Sequence, residues 1–367
     1  MTKSIHFRGL NGIRALAAID VMLAHIIGDL PLFGLSNTFI GTTSSGGPKP
    51  ILMASYGVTI FFTLSGFLIT YLILKEKQVS NTINVKNFYM RRVLRIWPLY
   101  YLYLAICLVV YYLLNIEYDS SLIGFYIFLA ANIPLILGGT LPYAGHLWSI
   151  AVEEQFYLFW PWVCKVKKNL LAWLIVLLVF YTVLKFVFYY LSVSQGISWP
   201  IIAITTNRFG SMIAGGIAGV LFFRDHSIIK IITSIWVQLL CYLILILSVI
   251  NVFHISSALI DHEIMTVVAI GIILSQITRT NYIVNLDAKL PNFLGKLSYG
   301  IYVYHPMVIL LSSYVLSSIT FENTLGYVSV FAFIFGITIL VSYISYRYFE
   351  VLFIKKKKSF STVHSKA

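Results

Sequence analysis

Residues 11–26, NGIRALAAIDVMLAHI, form an apolar segment that carries three ionisable side chains. The segment is apolar enough to enter a membrane, yet it contains Arg14, Asp20 and His25. Ionisable groups inside a membrane are costly and usually face a cavity or a partner residue. The segment therefore predicts a membrane-spanning helix beside a polar chamber.

The composition of the whole chain agrees with this interpretation. Of the 367 residues, 59% are hydrophobic and 11% are charged, and the mean hydropathy is +0.88. A soluble domain has about 25% charged residues. Since no segment is long and polar enough to be a separate soluble domain, we predict one all-α, polytopic bundle of transmembrane helices over residues 1–367.

The net charge of +13 does not indicate nucleic-acid binding. The basic residues lie in short clusters between apolar segments, which is the pattern of cytoplasmic loops. Both termini are predicted to be cytoplasmic. The motif Asp261-His262-Glu263 places its side chains on different helix faces, so we expect helix capping there and no metal site.

About ten apolar segments have the length that a membrane span requires. The predicted spans are 11–31, 51–74, 96–114, 147–164, 170–191, 207–223, 231–250, 258–277, 297–317 and 326–349. Residues 122–138 are also apolar, but counting them would place the cluster Lys165 to Lys168 outside the cell. We therefore predict a re-entrant or interfacial segment there, broken by Asn132 and Pro134.

Arg14 and His25 lie on one face of the first predicted span. Their spacing of eleven residues corresponds to three helical turns plus about 20°, and separates them by roughly 16 Å along the axis. A permanent cation at one end and a titratable imidazole farther along suit a reaction chamber. The alternative is a snorkelling Arg14 and a structural His25. Asp20 falls on another face, where it would contact a different helix.

A cluster of arginines precedes the third predicted span. Arg92 and Arg95 share a helix face, and Arg91 adjoins them. Guanidinium groups bind phosphate through two parallel hydrogen bonds. The cluster predicts a phosphate site at the membrane surface, with a simple topology signal as the alternative.

Two further segments carry candidate chamber residues. Trp148, Ser149 and Glu153 could line a polar pocket, because a buried carboxylate needs a partner or a proton; an interfacial aromatic belt is the alternative. Tyr302 and His305 are three residues apart and share a face. A structural role for His305 stays open at this point.

These motifs together resemble a known family, the membrane acyltransferases of acyltransferase family three, which includes O-acetylases of surface polysaccharides. The pattern of Arg or Lys, ten residues, then His matches Arg14 and His25. Four other motifs of the family match in the same order: FFTLSGFLI at 61–69, the RxxRIxP motif at 92–98, WSIAVEEQFY at 148–157 and SYGIYVYH at 298–305.

The chain departs from the family pattern at two positions that often carry Asp. They are Asn11 and Thr59 here, and Asp20 could substitute for one of them. Some members also carry a fused, soluble esterase-like domain. The chain resembles the form without that domain.

The resemblance implies an O-acyltransferase of the bacterial inner membrane, with acetyl-CoA or another acyl-CoA as the donor and no metal. The acceptor would be a hydroxyl of a surface or lipid-linked glycan, in a membrane-lipid environment. Arg92 and Arg95, with Arg91, would hold the phosphates of coenzyme A. His25 would act as a general base or would itself carry the acyl group.

In the same scheme Glu153 would orient His25, while Tyr302 and His305 would line the chamber. A proton-coupled secondary transporter is the main alternative, because intramembrane His, Asp and Glu also suit proton transport. A structural partner in polysaccharide export is a third reading. The acceptor sugar, the length of the acyl group and the oligomeric state stay open.

Overall fold

A computed structural model describes residues 7–38, 41–44, 46–166, 169–253, 258–278, 282–317, 319 and 323–361. These residues form helices and loops, with one isolated β-bridge between Thr42 and Pro48. The longer helices are α1 (Leu10–Gly28), α2 (Met53–Ser80), α3 (Val85–Leu114), α6 (Trp148–Val166), α7 (Leu170–Gln195), α9 (Phe209–Phe223), α11 (Ile235–Val249), α12 (Ala258–Thr278), α13 (Lys289–Val315) and α14 (Asn323–Ser345). The shorter ones are α4 (Ile123–Ile127), α5 (Asn132–Ile136), α8 (Trp199–Asn207), α10 (Ile228–Ile232) and α15 (Val351–Lys357).

The prediction of an all-α membrane bundle is confirmed, but the count of ten spans is not. Each predicted span coincides with one of the longer helices. Among the described residues, six helical segments are long and apolar enough to cross a membrane, namely α1, α2, α3, α7, residues 260–278 of α12, and residues 324–360. α9 and α11 have 15 residues each, which is about 22 Å and shorter than a typical hydrocarbon core.

Residues 122–138 do not form one continuous helix. They contain α4 and α5, of five residues each, separated by a break in which Leu129 has a φ of +55°. Asn132 begins α5 and its side chain bonds to Gln155 and Asn207, at 3.1 and 2.9 Å. The segment is broken, but the break lies at 128–131, and Asn132 and Pro134, which were expected to cause it, lie inside α5. The re-entrant or interfacial placement stays a prediction; residues 167–168 of the lysine cluster on which it depends lie outside the described residues.

Helices α1 and α13 run side by side in the same direction. Asn11 of α1 meets Gly295 of α13, and His25 near the other end of α1 meets His305. A Cβ atom at Gly295 would overlap the carbonyl oxygen of Asn11, so the missing side chain permits the close approach. Small residues at helix interfaces have this role in membrane proteins. The parallel packing of α1 and α13 thereby brings His25 and His305, which are far apart in the chain, into contact.

Helices α2 and α9 also cross closely through glycine. A Cβ at Gly66 would meet the carbonyl oxygen of Met212, and one at Gly215 would meet that of Thr63. Gly66 lies in the FFTLSGFLI motif, so part of that motif serves helix packing. The contact fixes α2 between α1 on one side and α9 on the other.

The chain leaves α14 through a π-helical turn at Tyr346–Glu350 and continues into α15. α15 packs against α3. Arg91 of α3 donates to the carbonyl oxygen of Phe360 at 2.8 Å and forms an ion pair with Glu76 of α2 at 2.7 Å. The turn that follows α15 is thereby attached to the α2–α3 hairpin.

Candidate active site

A cavity of about 150 Å³ lies between α1, α2, α3, α6, α13 and α15. Basic side chains on its lining come from three separate helices: Arg14 of α1, Arg92 and Arg95 of α3, and Lys357 of α15. Glu153, Ser149, Tyr157 and Tyr302 also line it, beside apolar residues of α2. Residues predicted from separate motifs therefore meet around one space.

The start of α3 positions its two cavity arginines. Asn84 caps this helix by accepting a hydrogen bond from the backbone N–H of Asn87 at 3.0 Å. Two turns later the Arg92 guanidinium lies 5.6 Å from the ring centre of Tyr157. Its Nε is buried and has no hydrogen-bond partner among the described residues. Arg92 thus keeps donor capacity for a ligand.

Arg14 is oriented by an amide rather than by a carboxylate. Its Nη1 donates to Oδ1 of Asn11 at 3.1 Å, and Asn11 in turn donates to Asn292 of α13 at 3.0 Å. An aspartate at position 11 would neutralise part of the Arg14 charge. The asparagine fixes the side chain and leaves that charge in place.

Glu153 makes its hydrogen bonds away from His25. Oε1 accepts from Ser65 of α2 at 2.7 Å, and Oε2 accepts from Tyr157 at 3.0 Å. Within the described residues these are its hydrogen-bond partners. The structure therefore brings Glu153 to the cavity arginines, and His305 takes the place beside His25 that was expected for Glu153.

His25 and His305 form a direct pair, with 3.2 Å between Nδ1 of His25 and Nε2 of His305. Nδ1 of His25 also lies 2.9 Å from the carbonyl oxygen of Val21, and Nδ1 of His305 lies 3.1 Å from that of Ile301. A carbonyl oxygen only accepts, so both Nδ1 atoms carry the proton of the neutral ring. The single Nδ1–H of His25 is then shared between the Val21 oxygen and Nε2 of His305, and Nε2 of His25 keeps its lone pair.

A third histidine, which the sequence analysis did not single out, completes the cluster. His146 precedes α6, and its ring centre lies 5.3 Å from that of His305. Tyr302 donates to the carbonyl oxygen of His146 at 2.8 Å, and its hydroxyl lies 2.6 Å from that of Ser149. The position of His146 just before WSIAVEEQFY was the available signal.

One residue of the cavity lining, Tyr302, lies beside the histidine pair. Phe61 also lines the cavity, and its ring centre is 5.9 Å from that of Tyr302. The ring of Tyr302 is 6.0 Å from that of His305. The lining includes neither His25 nor His305.

Three other predicted site residues lie apart from this cavity. Arg91 pairs with Glu76 and donates to Phe360, just after α15. Asp20 is buried where α1 packs against Gly57 of α2. The ring of Trp148 packs against Phe62 and against the Arg208 guanidinium, 5.6 Å from its centre.

Arg208 belongs to a second buried polar network that the sequence analysis missed. It donates to the carbonyl oxygen of Ser55 at 2.7 Å and to Thr59 at 3.2 Å. Thr59, at a position that departs from the family pattern, also lies 3.2 Å from His262.

Glu263, which follows His262 in the chain, forms an ion pair with Lys185 at 2.7 Å. Within the described part of the chain, no three His, Cys, Asp or Glu residues are placed to hold a metal ion.

Comparison with known proteins identifies an acyltransferase family and relatives named as O-acetyltransferases. Residues 7–347 match the family model described as the acyltransferase domain. The chain is 24% identical over 381 residues to the O-acetyltransferase OatA of Staphylococcus aureus (strain NCTC 8325 / PS 47), covering 95% of this chain and 57% of that protein. It is 32% identical over 163 residues to the peptidoglycan O-acetyltransferase OatA of Listeria monocytogenes, covering 41% of this chain and 23% of that protein.

The curated relatives that match almost all of this chain are longer proteins, and the chain spans little more than half of their length. No solved structure matches it.

Proposed function

Because this chain belongs to the acyltransferase family, we propose that it is a membrane O-acetyltransferase. In this proposal an acetyl group moves from acetyl-CoA to a hydroxyl group of a surface or lipid-linked glycan. The observation that carries the proposal is the basic cavity beside a histidine pair, with Tyr302 lining the cavity and lying 6.0 Å from the His305 ring. The name of the Listeria relative makes peptidoglycan the first acceptor to test.

The cavity supplies the donor site. Arg92 and Arg95 would bind the phosphate groups of coenzyme A through charge-assisted hydrogen bonds. Arg14, on the other side of the same space, would add a third positive charge. The pantetheine arm would then extend toward Tyr302, and the thioester would reach His25 once Tyr302 and Phe61 move aside.

The histidine pair supplies the base. Nε2 of His25 would take the proton of the acceptor hydroxyl as its oxygen attacks the thioester carbonyl carbon. The carbon–sulfur bond breaks, and the proton passes from His25 to the coenzyme A thiolate. His305 would accept the Nδ1–H of His25 and stabilise the imidazolium. In the alternative chemistry, Nε2 attacks the thioester first and the coenzyme A thiolate leaves. The acceptor hydroxyl then takes the acyl group from the acyl-histidine, and its proton goes to the thiolate.

The arrangement also suggests an orientation. We propose that all ten longer helices cross the membrane, the 15-residue α9 and α11 where the bilayer thins locally. The basic cavity would face the cytoplasm, where acetyl-CoA is made, with both termini on that side. A Lys165→Cys variant tests this, because the native Cys107, Cys164 and Cys241 are buried. Labelling of position 165 from the cytoplasmic face would support the orientation, and labelling from the outer face would contradict it.

The test of function is transfer or hydrolysis by the purified protein in lipid nanodiscs. We expect release of coenzyme A from radiolabelled acetyl-CoA, and acetylation of added glycan. His25→Ala should lose both, whereas His226→Ala, which changes an exposed histidine, should keep both. A protein that binds acetyl-CoA but neither hydrolyses nor transfers it would contradict the enzyme. Proton-coupled glycan movement in vesicles without acetyl transfer would indicate the transporter instead.

A further inference from the structure

Four consecutive lysines, Lys355 to Lys358, follow the last long apolar segment. By sequence they form one topology signal, but the structure separates them. Lys355, Lys356 and Lys358 are exposed, whereas Lys357 is half-buried and lines the basic cavity. One member of the run is thus directed at the candidate donor site.

The position of Lys357 is fixed by contacts on both sides of it. The π-helical turn at Tyr346–Glu350 precedes α15, and α15 packs on α3. Beyond Lys357, the carbonyl oxygen of Phe360 accepts from Arg91 at 2.8 Å, and Arg91 is itself paired with Glu76. Because Arg91 and Arg92 are adjacent in α3, the contact that holds the segment lies beside the cavity arginines.

The charges around the cavity do not balance. Arg14, Arg92, Arg95 and Lys357 all line it, and none of them forms an ion pair within the described residues. The carboxylate on the lining, Glu153, already accepts from Ser65 and Tyr157. Glu154 and Glu350 interact electrostatically with Arg92 and Arg95 but do not line the cavity, so the lining itself carries four cations and one carboxylate. Such an excess of positive charge favours a polyanion.

From this arrangement we propose that Lys357 is a donor-binding residue, whose ammonium group contacts a phosphate group of the acyl-CoA. The segment 351–360 would then form one wall of the donor site. This inference rests on the proposed function and extends it to a part of the chain beyond the matched residues 7–347. A lysine suits such a position because its compact charge can follow a phosphate without a fixed geometry.

The test compares the affinity of purified variants for coenzyme A in nanodiscs. Lys357→Gln should raise the Kd about tenfold, the usual loss for one charge-assisted hydrogen bond. Lys357→Arg should restore most of the affinity. Lys355→Gln, Lys356→Gln and Lys358→Gln remove the same charge from the same segment and should each stay within about twofold of wild type.

The kinetics give a second criterion. With saturating acetyl-CoA, Lys357→Gln should keep the wild-type kcat, because only donor binding is weakened. Equal affinities for Lys357→Gln and its three neighbours would overturn the inference. If wild type itself did not bind coenzyme A, the proposed function would fail first, so the two failures are distinguishable.

A measurement on the wild-type protein covers the case in which Lys357→Gln does not fold. A small amine-reactive reagent is applied with and without coenzyme A, and modified lysines are identified by mass spectrometry. Coenzyme A should protect Lys357 and leave Lys355 and Lys356 reactive. Modification of Lys357 that coenzyme A does not change would overturn the inference.

Discussion

His25 of α1 and His305 of α13 share one hydrogen bond, 3.2 Å long, although 280 positions separate them in the chain. The carbonyl oxygen of Val21, 2.9 Å from the same Nδ1, already requires the proton on that nitrogen, and His305 adds a second acceptor that holds the ring in place. His305→Leu removes the acceptor, so we expect kcat to fall about 10–100-fold, the equivalent of about 1–3 kcal/mol. Affinity for coenzyme A should not change.

The conservative variant separates this role from packing. His305→Gln places an amide oxygen where it can accept from Nδ1 of His25, so its activity should exceed that of His305→Leu. Equal loss in both variants, together with lower thermal stability, would mean that His305 only fills space.

His25→Ala should abolish transfer and leave donor binding in place. A general base contributes about 10²–10⁴-fold, and Arg14, the other ionisable residue on that helix face, is permanently protonated. Binding of coenzyme A should persist because Arg92 and Arg95 line the cavity at a distance from His25. Single-turnover acetyl transfer and coenzyme A affinity are measured on the same preparation. Full activity in a folded His25→Ala protein would exclude His25 as the base.

Arg92→Lys and Arg95→Lys keep the charge but lose the planar pair of donors. We expect the Kd for coenzyme A to rise about tenfold in each, with normal expression, because lysine presents a point charge to phosphate. Arg224→Lys makes the same change at an exposed position and serves as the control. Unchanged affinity in both cavity variants would reduce the cluster to a topology signal.

Gly295→Ala should weaken the packing of α1 on α13. Its new methyl group would overlap the Asn11 carbonyl oxygen, and such overpacking costs about 1–3 kcal/mol. Both the unfolding temperature and kcat should fall, since separation of the helices lengthens the His25–His305 bond. Gly336→Ala, in α14 where a Cβ meets open space, is the matched control. A Gly295→Ala protein with wild-type stability and rate would contradict this account of the interface.

The sequence predicted the helices and which residues share a helix face, because both follow from local periodicity. Arg14, Arg92 and Arg95 line one cavity, as a phosphate site near the first span requires. The sequence did not predict that His305 is the partner of His25, because this contact depends on how closely α1 and α13 approach each other. Gly295, a residue without side-chain chemistry, permits this approach.

Lys357 was missed for a related reason. A run of four lysines has no internal pattern, and any of them could anchor the chain at a membrane surface. The residue that faces the cavity is selected by the rotation of α15 and by the contact of Arg91 with Phe360. Neither of these is encoded in the run itself.

The parallel packing of α1 and α13 has a consequence for biosynthesis. The ribosome releases α1, which bears His25, before α2 to α12, and α13, which bears His305, only after them. Until α13 is made, the proposed base therefore sits in the membrane without the residue that shares its Nδ1–H. A fragment truncated before α13 should be inert toward the cellular pool of acetyl-CoA.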